Sequence, residues 1–96
     1  MMSKRIREIF NKIYDETNED FDFRKPKLYV VDDEDSANKG NRYIRGQYWL
    51  RSNKLLINKN QNLEEIKRTI RHELTHAITK SKVHTPKFKR IWRKIG

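Results

Sequence analysis

Four residues in the last third of the chain have types and spacing suited to metal-dependent hydrolysis. The segment RHELTHAITKSKVH, residues 71–84, holds all three histidines of the chain, His72, His76 and His84, together with Glu73. On a helix, His72 and His76 lie one turn apart on one face and can converge on a single Zn²⁺. Glu73 beside them could act as the general base that takes a proton from a zinc-activated water.

A catalytic zinc needs three protein ligands and one open position, so the H-E-x-x-H motif is one ligand short. The chain has no cysteine, and no acidic residue follows Glu73. His84 is the natural third ligand because a short turn after the helix could bring it back; the alternative is a residue from upstream. A histidine-only site can also bind other divalent ions, so zinc is inferred from the ligand type.

A metal site has to be weighed against chance, because H-E-x-x-H has only three fixed positions and such residues are common on helix surfaces. The apolar stripe of this helix centres near Ile70 and Leu74, which places His72 and His76 on roughly the opposite side. The two histidines are therefore not expected in the core. Together with the reachable spacing of His84, this favours a metal site.

The hydrophobic spacing predicts one small α+β domain over residues 1–96. With 34% hydrophobic and 38% charged residues, its core must be small and built from amphipathic elements. No signal peptide or membrane-length apolar run is recognisable, so a soluble cytoplasmic protein without a membrane partner is expected. The predicted elements are a helix capped by Ser3 (4–17), a strand (27–32), a loop (32–41), a hairpin (42–51 and 54–59, turning at Ser52-Asn53), a helix capped by Asn62 that ends near Lys80, and a last helix beginning at Thr85-Pro86.

The net charge of +10 lies almost wholly in residues 67–96, which hold ten Lys or Arg against Glu73 alone. Such a surface attracts polyanions, and nucleic acid, DNA included, is the obvious partner; the alternative is a solubilising face with no specific ligand. On the last helix, Phe88, Ile91, Trp92 and Ile95 form the apolar stripe, with Trp92 expected in the core. The residues that face away from it are the candidate nucleic-acid-binding residues Lys87, Lys89, Arg90, Arg93 and Lys94.

Three further aromatic residues, Tyr43, Tyr48 and Trp49, lie among arginines and could stack on bases. A core position is the favoured interpretation, because a small domain needs its aromatic side chains inside and strand alternation buries one side.

The motifs resemble those of a known family. HELTHAI, followed by His84 and TPKF, resembles the H-E-x-x-H and later H-G-P-x-F signature of the SprT-like metallopeptidases, the Spartan family, and of the related WLM domains. GQYWLRSNKLLIN, residues 46–58, is similar to the strand pair of that family. The likeness covers about residues 43–92, although the step from His76 to His84 is shorter than in Spartan and Val83-His84-Thr85 replaces the usual Gly-His-Gly.

The resemblance implies a minimal zincin-like metallopeptidase domain with an N-terminal helix, a three-stranded mostly antiparallel sheet, the H-E-x-x-H helix and a C-terminal helix. It implies a zinc-dependent endopeptidase that holds one Zn²⁺ through His72, His76 and His84, uses Glu73 as base, and acts on protein or peptide substrates, DNA-associated ones among them. Phe88 would anchor the last helix beneath the site. The strand at 54–58 would be the edge to which an extended substrate adds.

A second hypothesis comes from another functional class. The chain could be a basic nucleic-acid-binding or host-interaction module whose metal site is structural or inactive. The two hypotheses differ in what Glu73 does, because only the enzyme needs its carboxylate as a base.

Overall fold

The computed structural model describes residues 2–32, 45–81 and 83–95, and over these it is a small α+β arrangement of three helices and a three-stranded sheet. The predicted order of elements is confirmed for this part of the chain, while residues 42–44 of a predicted strand and the predicted loop beyond Asp32 lie outside it. The elements are α1 (Met2–Phe21), β1 (Lys27–Val31), β2 (Gly46–Trp49), β3 (Lys54–Asn58), α2 (Leu63–Thr79) and α3 (Pro86–Ile95).

Helix α1 is longer than the sequence predicts at both ends. It already includes Met2, so Ser3 is not its cap. At the other end it continues to Phe21 and stops where Asp22 adopts a left-handed conformation, with φ 44°. The apolar stripe behaves as predicted, because Ile6, Phe10 and Ile13 are all buried.

The sheet is mixed, which corrects the expectation of a mostly antiparallel one. Its strand order is β1-β3-β2, with β2 antiparallel and β1 parallel to β3. The segment 54–58 is therefore the central strand, and its expected role as the substrate edge is wrong. The alternation of apolar and polar residues predicts which side chains of a strand are buried, but it does not predict which strands lie beside it. Leu55 and Ile57 are fully buried, as expected in a central strand.

The β2–β3 hairpin turns where the sequence predicts. Asn53 adopts a left-handed conformation with φ 51°, which asparagine tolerates better than most residues. The hydroxyl of Tyr48 donates to Asn53 Oδ1 at 2.6 Å, and the backbone N–H of Lys27 donates to the Asn53 carbonyl at 3.0 Å. One residue thus closes the hairpin and ties it to the start of β1.

Helices α1 and α2 contribute to one buried core with the inward side chains of the sheet. Helix α2 begins as predicted, since Asn62 accepts a hydrogen bond from the backbone N–H of Glu65 at 2.9 Å. Along the described chain, no helix combines the length and apolar character that crossing a membrane requires. The core residues are Ile6, Phe10, Ile13, Leu28, Leu55, Ile57, Ile66, Ile70 and Leu74.

Candidate metal centre

The three histidines come together at the carboxyl end of α2. One ring nitrogen from each of His72, His76 and His84 lies within 4.8 Å of the others. The ring centroids are 5.0 Å apart for His72–His76 and for His72–His84, and 5.2 Å apart for His76–His84. The structure therefore brings all three predicted ligands close enough to bind one metal ion.

His84 lies between the end of α2 and the start of α3, and both of these helix boundaries have a clear local cause. Helix α2 ends because Lys80 adopts a left-handed conformation, with φ 51°, and its N–H donates to the His76 carbonyl. Helix α3 begins at Pro86, where the Thr85 hydroxyl accepts from the Phe88 N–H at 3.2 Å. Both ends agree with the prediction, and the His84 ring lies close to those of His72 and His76.

A backbone carbonyl orients the ring of His76. His76 Nδ1 lies 2.7 Å from the Ser81 carbonyl oxygen, and since a carbonyl can only accept, Nδ1 carries the proton. The Nε2 atom then keeps a free lone pair, which is the tautomer that a metal-binding histidine needs. Sequence reasoning missed this contact, and no side-chain signal could have shown it, because every residue has a carbonyl.

Two aromatic residues of α3 form a wall behind the histidines. The Phe88 ring centroid is 5.2 Å from that of His72 and 4.6 Å from those of His76 and His84. The Trp92 ring is 5.4 Å from His72 and is only half-buried, so its predicted core position is wrong. The resemblance had placed Phe88 beneath the site, and the spacing of four residues from Phe88 is the signal that could have placed Trp92 there as well.

Burial keeps the two α2 histidines in the neutral form that binds metals. It lowers the pKa of His72 to about 4, helped by the nearby His76, His84 and Arg68. Burial also lowers the pKa of His76, which the Ser81 carbonyl opposes. His76 is 7% exposed, so it is buried although it does not belong to the main core.

Glu73 lies between α2 and the sheet and is only 7% exposed. Burial raises the pKa of its carboxyl to about 7. Its carboxylate makes no hydrogen bond or ion pair with any residue that the structure describes. Among the described residues, every side-chain nitrogen or oxygen that is fully buried has a hydrogen-bond partner. The carboxylate oxygens of Glu73 are therefore not fully buried and remain accessible to solvent. A nearly buried carboxylate free of structural partners suits a proton-transfer role.

A glycine in β2 allows the sheet to approach Glu73. A Cβ atom at Gly46 would lie 2.5 Å from Thr69 Cγ2, 3.1 Å from the Leu56 carbonyl oxygen and 3.3 Å from Glu73 Cγ. Any other residue at position 46 would therefore press against the α2 face that carries Glu73. The requirement comes from this close approach and not from a left-handed backbone conformation.

The histidine cluster fits a tetrahedral metal with small movements. Ligand nitrogens bound to one zinc ion are about 3.3 Å apart, whereas these nitrogens lie within 4.8 Å of one another. Side-chain rotations that move the ligand nitrogens by about 1 Å would bring them to this separation. Such rotations are possible because no hydrogen bond within the described residues holds the metal-binding nitrogen of any of the three rings. The residues therefore fit a divalent ion that prefers nitrogen ligands.

The predicted basic residues of α3 are exposed, and none of them forms an ion pair within the parts of the chain described. They are Lys87, Lys89, Arg90, Arg93 and Lys94. Of the aromatic residues suggested for base stacking, Tyr48 is buried as favoured, Trp49 is 39% exposed against that expectation, and Tyr43 lies outside the described residues.

A groove of about 370 Å³ lies between α1 and α2 and includes none of the three histidines. Acidic and basic side chains both line it, together with two isoleucines, so its charge favours neither anionic nor cationic ligands. Its lining residues are Arg5, Glu8, Ile9, Lys12, Ile13, Glu16, Lys67 and Arg71.

Comparison of the chain with protein-family models, with curated proteins and with solved structures finds no match. Function is therefore inferred from the geometry of the site.

Proposed function

We propose that this protein is a zinc-dependent endopeptidase of the SprT-like type. The observation that carries the proposal is the convergence of His72, His76 and His84 beside a buried, unpaired Glu73 on the same helix. Three histidine ligands leave one position of a tetrahedral metal open, which is the ligand set of a catalytic rather than a structural zinc.

The chain's own residues have separate tasks in peptide hydrolysis. The three histidines would hold a zinc ion, which would act as a Lewis acid toward water and a substrate carbonyl. Glu73 takes the proton from the attacking water on its carboxylate and delivers it to the leaving amine. Phe88 packs against all three histidine rings and holds them in place, and the Ser81 carbonyl keeps the proton of His76 on Nδ1.

An extended substrate would add along β2. Within the described residues, β2 has one free edge and Gly46 at its start lies against Glu73. Main-chain hydrogen bonds to this edge would align a peptide without requiring a particular sequence. The exposed basic residues of α3 would hold DNA, which would make DNA-associated proteins the preferred substrates.

The decisive experiment compares Glu73→Gln with Glu64→Gln in zinc-loaded protein. Both substitutions remove one carboxylate from α2, but Glu64 is exposed and pairs only with Lys67. We expect Glu73→Gln to retain one equivalent of zinc and to lose cleavage of an unfolded protein and of a DNA-bound basic protein. Glu64→Gln should cleave both at the wild-type rate, and cleavage by Glu73→Gln at that rate would remove the enzyme proposal.

The second candidate is a basic nucleic-acid-binding module with a structural or inactive metal. It is favoured by one observation, which is that the metal would join α2 to the exposed basic helix α3. That hypothesis predicts zinc binding, loss of DNA binding in His84→Ala, and no cleavage by the wild-type protein.

A further inference from the structure

The outer face of the sheet carries a second set of side chains, distinct from those that pack into the core. Alternation along the strands directs Leu28, Leu55 and Ile57 inward to the helices. The opposite side chains form what we term the outer face: Lys27, Tyr29, Val31, Gln47, Trp49, Lys54 and Leu56. It lies on the other side of the sheet from the core, and none of its residues belongs to the metal centre.

Two aromatic rings are exposed on the outer face. Tyr29 is 36% exposed and Trp49 39% exposed, on the two outer strands of the sheet. A domain with few apolar residues gains stability by burying its aromatic rings, so two exposed rings on one face suggest a ligand.

Lysine ammonium groups lie over both rings. Lys54 Nζ is 5.4 Å from the Tyr29 ring centroid and 5.8 Å from that of Trp49, while Lys27 Nζ is 5.7 Å from Tyr29. Strand pairing explains the arrangement, because Lys27, Lys54 and Trp49 form one row across the sheet. The outer face therefore alternates flat π surfaces with positive charge, and no acidic residue is among its members.

The distance between the Tyr29 and Trp49 rings favours single-stranded nucleic acid over a duplex as the ligand. Tyr29 and Trp49 are two strands and two residues apart, on the order of 12 Å from the spacings of a β-sheet. Bases stacked in a duplex are about 3.4 Å apart and have their faces covered, so they cannot reach both rings. Splayed bases of a single strand can stack on aromatic side chains while their phosphates contact lysines.

We propose that the outer face binds single-stranded nucleic acid, with bases stacked on Tyr29 and Trp49 and phosphates held by Lys27 and Lys54. This site is separate from the basic residues of α3 and does not depend on the metal centre or on the proposed peptidase activity.

Binding at the outer face can be measured by tryptophan fluorescence, because the chain has only two tryptophans and one of them, Trp49, lies on this face. In Trp92→Phe protein Trp49 is the only tryptophan, and we expect a short oligothymidylate to quench its selectively excited fluorescence. A duplex of mixed sequence and polyglutamate should leave the Trp49 signal unchanged. Quenching by polyglutamate would indicate an acidic protein ligand, and equal quenching by duplex would contradict base stacking; either result overturns the proposal.

Variants on the outer face test the assignment of residues. Tyr29→Leu keeps an apolar side chain suited to a strand but removes the ring, and it should weaken oligothymidylate binding by about 5- to 150-fold. Removing Lys27 and Lys54 together, as glutamines, should make the slope of log affinity against log salt less steep by about 1.4.

The matched control, Lys4→Gln with Lys12→Gln, removes the same charge from exposed positions on α1. It should change neither the quenching nor the salt slope. An equal loss of slope in both double variants, or full affinity in Tyr29→Leu with native circular dichroism, would overturn the proposal.

Discussion

Gly46→Ala tests the close packing between β2 and the helix that carries Glu73. The added Cβ would lie 2.5 Å from Thr69 Cγ2, so that methyl group must move by about 0.9 Å before ordinary contact begins at 3.4 Å. The backbone oxygen of Leu56 at 3.1 Å limits retreat in the other direction. Overpacking of this kind costs about 1–3 kcal/mol, offset by about 0.4–1 kcal/mol because alanine restricts the unfolded chain. The two ranges combine to a net loss of about 0–2.6 kcal/mol in the free energy of unfolding, and their midpoints give an expected loss of about 1.3 kcal/mol.

A double-mutant cycle isolates the contact. Thr69→Ser removes only the clashing methyl and keeps the hydroxyl, which donates to Gln61 Oε1 at 3.2 Å. Alone it should cost less than about 1 kcal/mol, and in the Gly46→Ala background it should restore about 1 kcal/mol. Thr69→Val retains a methyl group and should give no rescue.

The assay is urea unfolding followed by far-ultraviolet circular dichroism, with and without zinc. Gln47→Ala is the control in β2, because its side chain is exposed and should alter the free energy of unfolding by less than about 0.5 kcal/mol. Additivity of Gly46→Ala and Thr69→Ser within about 0.5 kcal/mol, or a stable Gly46→Ala, would refute the packing argument. If it holds, Gly46→Ala should also reduce cleavage more than zinc content, because it displaces Glu73.

Two further predictions concern the metal and the end of α2. Zinc at a hundredfold excess over its dissociation constant should stabilise the wild-type protein by about 2.7 kcal/mol and raise its melting temperature by roughly 10–20 °C. His84→Ala should lose most of this shift, and a wild-type protein that melts at one temperature with or without zinc would remove the site. Lys80→Gly should stabilise the protein by about 0.5–1 kcal/mol in urea unfolding, because φ at Lys80 is 51° and glycine adopts that conformation without strain. Lys80→Ala keeps the Cβ and should bring no gain; equal stabilities of the two variants would contradict the strain argument.

Local sequence signals predicted the elements well where a side chain itself makes the boundary. Asn62 and Thr85 cap the helices that they were expected to cap, because their side-chain oxygens accept the first free backbone N–H groups. Ser3 failed as a cap because a serine also fits inside a helix, and α1 already includes Met2. The core interpretation was right for Tyr48 and wrong for Trp49, because consecutive strand residues point to opposite faces of the sheet and only one of these two could enter the core.

The candidate ligands were determined by the sequence alone. It holds only three histidines, and helical periodicity puts His72 and His76 on one face, away from the stripe of Ile70 and Leu74. These are local properties, since they depend on residue type and on 100° per residue. The same locality explains why the antiparallel β2–β3 hairpin was predicted correctly.

Only the tertiary structure decided which distant groups surround those ligands. Strand order depends on how buried faces of separate segments fit together, so β3 became central and β1 paired with it in parallel. In the same way, the packing of α3 against α2 brought Trp92 to His72, and the approach of β2 made Gly46 a neighbour of Glu73. Periodicity shows which face of an element is apolar, but the partner of that face depends on the packing of the whole chain.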